Sequence, residues 1–169
     1  MRIWLDTEFT DLDKPKLISV GMAAENGEDC YVELAEGQSG CWRRSDCTEF
    51  VAHRVLPLLE PPYAFMVQEA GRRVAGFLMR CGADSKGRRV QVHADYKADL
   101  YLVRDLLLGT GFGYDSLADW YLAGLGMYGQ SVADELMAQS RRHHALDDAR
   151  AFRAGRLAEE AALRKDFRR

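Results

Sequence analysis

The amino-acid sequence predicts an α/β fold, with a mixed central sheet flanked by helices. Three observations point that way. Short β-patterned runs joined by turn signals fill the stretch up to Leu34 and read as a three-stranded antiparallel meander. From Val67 onward the apolar positions recur at helical spacing. A further short strand, Val90–His93, interrupts those helices. At 169 residues the chain is expected to be one domain, 1–169, with room for a proper core; 47% hydrophobic and 29% charged residues exclude a disordered segment of this length.

Taken in order, Arg2–Glu8 is the first predicted strand, with Ile3, Leu5 and Thr7 on one face. Leu17–Ala24 is the second, Asn26-Gly27 signals a type I′ turn, and Cys30–Leu34 is the third. Gly37–Trp42 reads as loop. Asp46 followed by Glu49 resembles a capping box opening a helix to about Leu56, stopped by Pro57 and Pro61-Pro62. Ala70, Val74, Phe77, Leu78 and Cys81 place an amphipathic helix over Val67–Cys81, ended by Gly82. A helix over Leu100–Leu108 follows the fourth strand and ends at Gly109. The run Gly109-Thr110-Gly111-Phe112-Gly113 lies after a helix and lacks the Gly-Lys-Ser/Thr of a phosphate loop, so it is a plain turn. Leu117–Met127, glycine-containing and aromatic, reads as helix or interface. Helices over Ser131–Ser140 and Ala145–Leu163 complete the chain, the latter with Ala149, Phe152, Leu157 and Ala161 as its apolar positions.

Several function classes are disfavoured. The apolar runs are far short of a membrane span, and a strand starting at Arg2 leaves no room for a signal peptide, so a cytoplasmic protein with no membrane partner is expected. Cys30, Cys41, Cys47 and Cys81 lack CxxC spacing and are expected to be reduced thiols. The net charge of −3 speaks at first against nucleic acid, yet residues 141–169 are basic on balance. The pairs Arg43-Arg44, Arg72-Arg73, Arg88-Arg89 and Arg141-Arg142 are candidates for a phosphate track, although each pair alone is explained by a solvated face.

The chemistry concentrates in three places. Asp6 and Glu8 alternate along the first strand and so share a face, roughly 7 Å apart. Two carboxylates side by side repel and lose hydration on burial, a cost that a hard divalent cation between them removes. Asp95 and Asp99 stand around the start of the helix after the fourth strand, where Asp99 alone is also explained by the helix macrodipole. His143-His144-Ala145-Leu146-Asp147-Asp148 opens the last helix. A histidine five residues before an aspartate, across a helix start, puts both side chains into one cleft.

Together these segments resemble the three exonuclease motifs of the DEDDh family, the 3′→5′ exonucleases with a ribonuclease-H-like fold. Asp6-Thr7-Glu8 matches the first, Asp99 with Leu102-Val103 the second, and His143-x-Ala-Leu-x-Asp148-Ala the third. The Asp-Tyr-x-x-Asp form of the second motif looks most like the small bacterial exoribonucleases that include a polyadenylate-specific enzyme; oligoribonuclease and ribonuclease T look more distant. The asparagine that commonly precedes the second motif's aspartate is absent, and Asp95 is a competing ligand. The resemblance implies that Asp6, Glu8, Asp99 and Asp148 hold two divalent ions, Mg²⁺ or Mn²⁺, and that His143 is the general base. His144 is the alternate base, since a sister class places a tyrosine at that spacing. Phe9, Thr10 and Leu12, with Tyr96 as a stacking partner, are implied to contact the terminal nucleotide. The expected substrate is single-stranded nucleic acid, RNA ahead of DNA, cut to nucleoside 5′-monophosphates. A homodimer is the expected assembly if Leu117–Met127 supplies an interface. The competing expectations are an inactive relative that binds nucleic acid or protein, and an unrelated acidic metal-binding or regulatory domain.

Overall fold

The computed structural model of the chain describes residues 1–83, 90–112, 120–122 and 124–166. Its strands are β1 (Arg2–Phe9), β2 (Leu17–Ala24), β3 (Asp29–Leu34), β4 (Ala64–Phe65), β5 (Gln91–Ala94) and β6 (Trp120–Leu122). Its helices are α1 (Glu49–Arg54), α2 (Val67–Arg80), α3 (Lys97–Leu107), α4 (Met127–Gln139) and α5 (Ala145–Asp166). The strands form one mixed sheet in the order β4-β3-β2-β1-β5-β6, whose outer strand β4 is only two residues long. β1, β2 and β3 are the expected antiparallel meander, while β5 runs parallel to β1, β6 to β5 and β4 to β3. No helix among the described residues is long and apolar enough to cross a membrane.

Alternation along the strands gives the sheet two unlike faces. On one, Ile3, Leu5, Ile18, Val20, Met22 and Val32 merge with Ala70, Val74, Phe77 and Leu78 of α2 and Val103 and Leu106 of α3 into the main apolar core. The other carries Asp6 and Glu8 of β1, paired across to Gly21 and Ser19 of β2, and through them to Tyr31 and Glu33 of β3. Helix α5 lies on this second face. It sits so close that a Cβ at Gly21 would fall 2.2 Å from the backbone of Ala145 and Leu146. A glycine opposite Asp6 is therefore what lets the start of α5 reach the acidic strand. Ion pairs fasten the rest of the helix: Arg150 to Asp29 at 2.7 Å, Arg153 to Asp29 at 3.3 Å, and Arg2 to Glu160. Helix α4 crosses α5 at Gly129 and Gly155, where a Cβ on Gly155 would stand 2.5 Å from the Gly129 carbonyl oxygen.

Local details depart from the sequence expectations in instructive ways. The β2–β3 loop is not a type I′ turn, which needs positive φ at both central residues. Gly27 alone has it (φ 91°), the Gly27 amide donates to the Ala24 carbonyl, and the Ala24 amide donates to Glu28, giving a three-residue loop. Asp46 does not open α1; its carboxylate accepts from the Arg43 amide within a 3₁₀ turn, and Thr48 caps α1 by accepting from the Val51 amide at 3.3 Å. Helix α2 ends as expected, at Gly82 (φ 97°), with the Gly82 and Ala83 amides donating to Met79 and Leu78. Helix α3 begins at Lys97, three residues before Leu100, with Tyr96 as its extended N-cap. Helix α4 begins at Met127, four residues before Ser131, and includes Gly129, a poor helix residue whose lack of a side chain admits Gly155. Leu117–Met127, expected as helix or interface, contains β6 at Trp120–Leu122 rather than a helix there; residues 113–119 and 123, like Arg88-Arg89, lie outside the described residues.

Candidate metal centre

Three elements aim carboxylates at one point. β1 supplies Asp6 and Glu8 from its polar face. β5 pairs with β1 in parallel register, Trp4 opposite His93, and continuing that register by two residues sets Asp95 beside Asp6. One turn later, at the third residue of α3, stands Asp99. Ligand atoms of Asp6, Asp95 and Asp99 all lie within 4.8 Å of one another, and so do those of Glu8, His143 and Asp148. The structure thus brings together all five residues expected from the motifs. It adds Asp95 as a neighbour of Asp99 rather than its rival; Asp95 is exposed where Asp99 is 2% exposed.

Each carboxylate is held by few partners. Thr7, the last buried residue of β1's apolar face, donates its hydroxyl to Asp99 Oδ1 at 2.6 Å and leaves Oδ2 buried with no partner. Asp148 Oδ2 accepts from the His143 amide at 2.9 Å, and Oδ1 is likewise orphaned. Among the described residues no lysine or arginine forms an ion pair with Asp6, Glu8, Asp95, Asp99 or Asp148. The titration of the group reflects that crowding. Asp6 is held well above the usual carboxylate range by loss of hydration, then by the charges of Asp99, Glu8, Asp148 and Asp95. Burial, with Asp148 and Asp99 behind it, pushes Glu8 up to about 8. Burial raises Asp99 to about 7 against the Thr7 hydrogen bond, and Asp148 to about 6 against the His143 amide. Clustered hard oxygen donors that form no ion pair with a described lysine or arginine, two of them buried without a partner, are the donor set that Mg²⁺ or Mn²⁺ takes, so the residues fit a divalent pair.

The two adjacent histidines have separate surroundings. His143 sits in the left-handed region (φ 70°), a conformation that costs a non-glycine residue about 1 kcal/mol and marks functional segments. Its ring meets the Phe50 ring edge-on at 5.0 Å, and burial, then Arg142 and Arg54, lowers its pKa. His144 is turned away and 2% exposed, packed on Tyr31 with ring centroids 4.3 Å apart. Its nitrogens face Glu60 at 3.5 Å and Asp147 at 3.7 Å, two acids that Arg141 also holds. The Tyr31 hydroxyl in turn donates to buried Glu33 at 2.7 Å.

Around the centre, Phe9 and Tyr96 stack on each other, ring centroids 6.1 Å apart and planes nearly parallel at 16°. Leu12 stands 72% exposed. Thr10 is buried instead, its hydroxyl accepting from the Lys16 amide at 3.1 Å, so its side chain shapes the loop that presents Leu12. A cavity of about 380 Å³ opens beside the carboxylates, lined by Asp6, Asp95, His143 and Asp148 and, from α4 and the following loop, by Asp134 and Arg142. The sequence alone assigns no role at the site to Gly21, Thr7 or Phe50. An isolated glycine inside an apolar strand signals close backbone approach, and it was the one legible clue among these. No family model and no curated protein matches this chain.

Proposed function

We propose that this chain is a metal-dependent 3′→5′ exonuclease of the DEDDh type, acting on single-stranded nucleic acid and on RNA ahead of DNA. The observation that carries the reading is convergence. Residues from β1, the β5–α3 junction and the start of α5 meet with ligand atoms within 4.8 Å in two groups, and no described lysine or arginine forms an ion pair with their carboxylates. A ribonuclease-H-like fold is the finer reading of the sheet, supported by a central β1 flanked by an antiparallel meander on one side and parallel strands on the other.

Asp6, Glu8, Asp99 and Asp148 would hold the two ions, which when bound supply an activated water and neutralise the leaving 3′-oxygen. His143 accepts the proton of the attacking water. It stands within 4.8 Å of Glu8 and Asp148 oxygens, and its lowered pKa keeps the imidazole neutral at pH 7. Phe50 packs against the ring and limits its rotation. Phe9 and Tyr96 offer an aromatic surface on which the terminal base stacks, with Leu12 beside them.

Matched RNA and DNA strands labelled at the 3′ or the 5′ end test the reading. Mg²⁺-dependent release of mononucleotides from the 3′ end, abolished by chelator, is the expected result. Cleavage that survives exhaustive chelation, or internal products without mononucleotides, overturns it.

A further inference from the structure

The exonuclease reading leaves a physical difficulty. A strand carries a phosphate on every residue, and a cavity lined by Asp6, Asp95, Asp134 and Asp148 repels those beyond the one at the centre. Two arginines answer it. Arg142 lines the cavity beside His143 and Asp148. Arg54 lies at the end of α1, four residues after Phe50 and thus on the same helix face, which turns the Phe50 ring onto His143. Both are exposed, and neither forms an ion pair with any described residue. Arg72, Arg73, Arg141, Arg150, Arg153 and Arg156 each hold a carboxylate. Arg43, Arg44 and Arg80, which also form no ion pair with a described residue, do not line this cavity; the place beside His143 is what sets Arg54 and Arg142 apart. Arg141 in particular is neutralised by Glu60 and Asp147, while its neighbour Arg142 is left for the cavity.

We infer that Arg54 and Arg142 form a cationic lip on the His143 side of the site that grips a backbone phosphate of the bound strand other than the one hydrolysed. This rests on the exonuclease reading for the identity of the strand. A guanidinium fork matches phosphate oxygens in two parallel hydrogen bonds, and an exposed arginine with no protein carboxylate to satisfy it is free to make them. The lowering of the His143 pKa by both arginines agrees with their placement next to that ring. The consequence for specificity is that the enzyme prefers a strand carrying an upstream phosphate over an isolated phosphodiester.

The test compares the parent with Arg54→Gln, Arg142→Gln, the double variant, and Arg72→Gln as a control on α2. Binding of a fluorescent single-stranded RNA of about ten nucleotides is followed by anisotropy in Ca²⁺, between about 50 and 200 mM salt. Each lip variant should weaken binding about tenfold. Each should also flatten the dependence of log affinity on log salt by about 0.7, the double variant by about twice that, and the control not at all. In hydrolysis, the lip variants should lower kcat/KM for the strand relative to that for the p-nitrophenyl ester of thymidine 5′-phosphate, which has one phosphate, by about tenfold. Parent-like affinity and salt slope in the double variant overturn the inference, as does an equal loss on strand and ester. A parent that binds the strand with the expected salt slopes but hydrolyses nothing overturns the exonuclease reading and leaves the lip standing.

Discussion

β1 presents Ile3, Leu5 and Thr7 to one side of the sheet and Trp4, Asp6 and Glu8 to the other, and the two sides are built on opposite terms. The α2–α3 side is a continuous apolar core, where burying a side chain such as Leu5 stabilises the fold by about 1.5–3 kcal/mol. The α5 side buries Trp4 and Phe152 but is otherwise held by a glycine, small residues and ion pairs: Gly21 under Ala145, Ala149 in the helix, Asp29 with Arg150 and Arg153. Its centre is a set of carboxylates whose raised pKa values record that they oppose folding when charged. The larger apolar core lies on one face and the carboxylate cluster on the other, within single strands.

The largest expected effect lies on the α5 side and touches rate rather than stability. His143→Ala should lower the catalytic rate by roughly 10²–10⁴-fold, the range for a lost general base, and leave the melting temperature near the parent's. The acidic limb of the pH–rate profile, which falls as His143 gains a proton, should vanish with it. His144→Ala should do the reverse, retaining that limb while removing a buried ring from Tyr31 and lowering stability. A rate loss confined to His144→Ala would dissolve the distinction between the two histidines.

Neighbouring positions of β1 sharpen the comparison next. Leu5→Ala should cost about 2–5 kcal/mol with or without divalent ions. Asp6→Asn should leave the metal-free protein as stable as the parent or more so, and should forfeit the stabilisation that saturating Mg²⁺ gives the parent. Melting curves of both variants in chelator and in Mg²⁺ separate the faces; an Asp6→Asn loss in chelator equal to that of Leu5→Ala would show that the faces are not distinct.

The smallest effect is a pH dependence of the metal-free protein. A carboxyl raised in the folded state contributes stability that is fully present below its unfolded pKa and is lost as pH climbs through the folded value. For Glu8 that window runs from 4.5 to about 8, for Asp99 from 3.8 to about 7, and for Asp148 from 3.8 to about 6. The melting temperature in chelator should therefore fall from about pH 4.5 to about pH 8, most steeply between 4.5 and about 6 where all three windows overlap, and Mg²⁺ should remove most of the fall. A flat profile in chelator would mean that the carboxylates are hydrated.

Much of this was legible in the sequence because the relevant signals are local. Period-two alternation put Asp6 and Glu8 on one face, and helical spacing found α2 to within a residue. The five-residue step from His143 to Asp148 is confirmed as a contact, the amide of one donating to the carboxylate of the other. What escaped is non-local. Asp95 looked like an alternative to Asp99 because the parallel register of β5 on β1, which sets it beside Asp6, cannot be read from spacing. Thr7 looked apolar-facing, and it is; its partner Asp99 comes from a helix 92 positions away. Thr48 took the cap expected of Asp46 because Asp46 was already committed to Arg43 and Lys16.

The seat of α5 on Gly21 also has a kinetic meaning. The clasp joins the first strands to the last described helix, and Arg2 with Glu160, 158 positions apart, closes it. Loop closure of that length is slow and gains little until many contacts form together, whereas the β1–β2–β3 meander is assembled from neighbours in the chain. The meander is therefore expected to form early and the α5 clasp late. Cations bound between β1 and α5 would act after the folding barrier, so they should slow unfolding far more than they speed folding. The metal centre would then be a latch on the native state, felt as a longer lifetime.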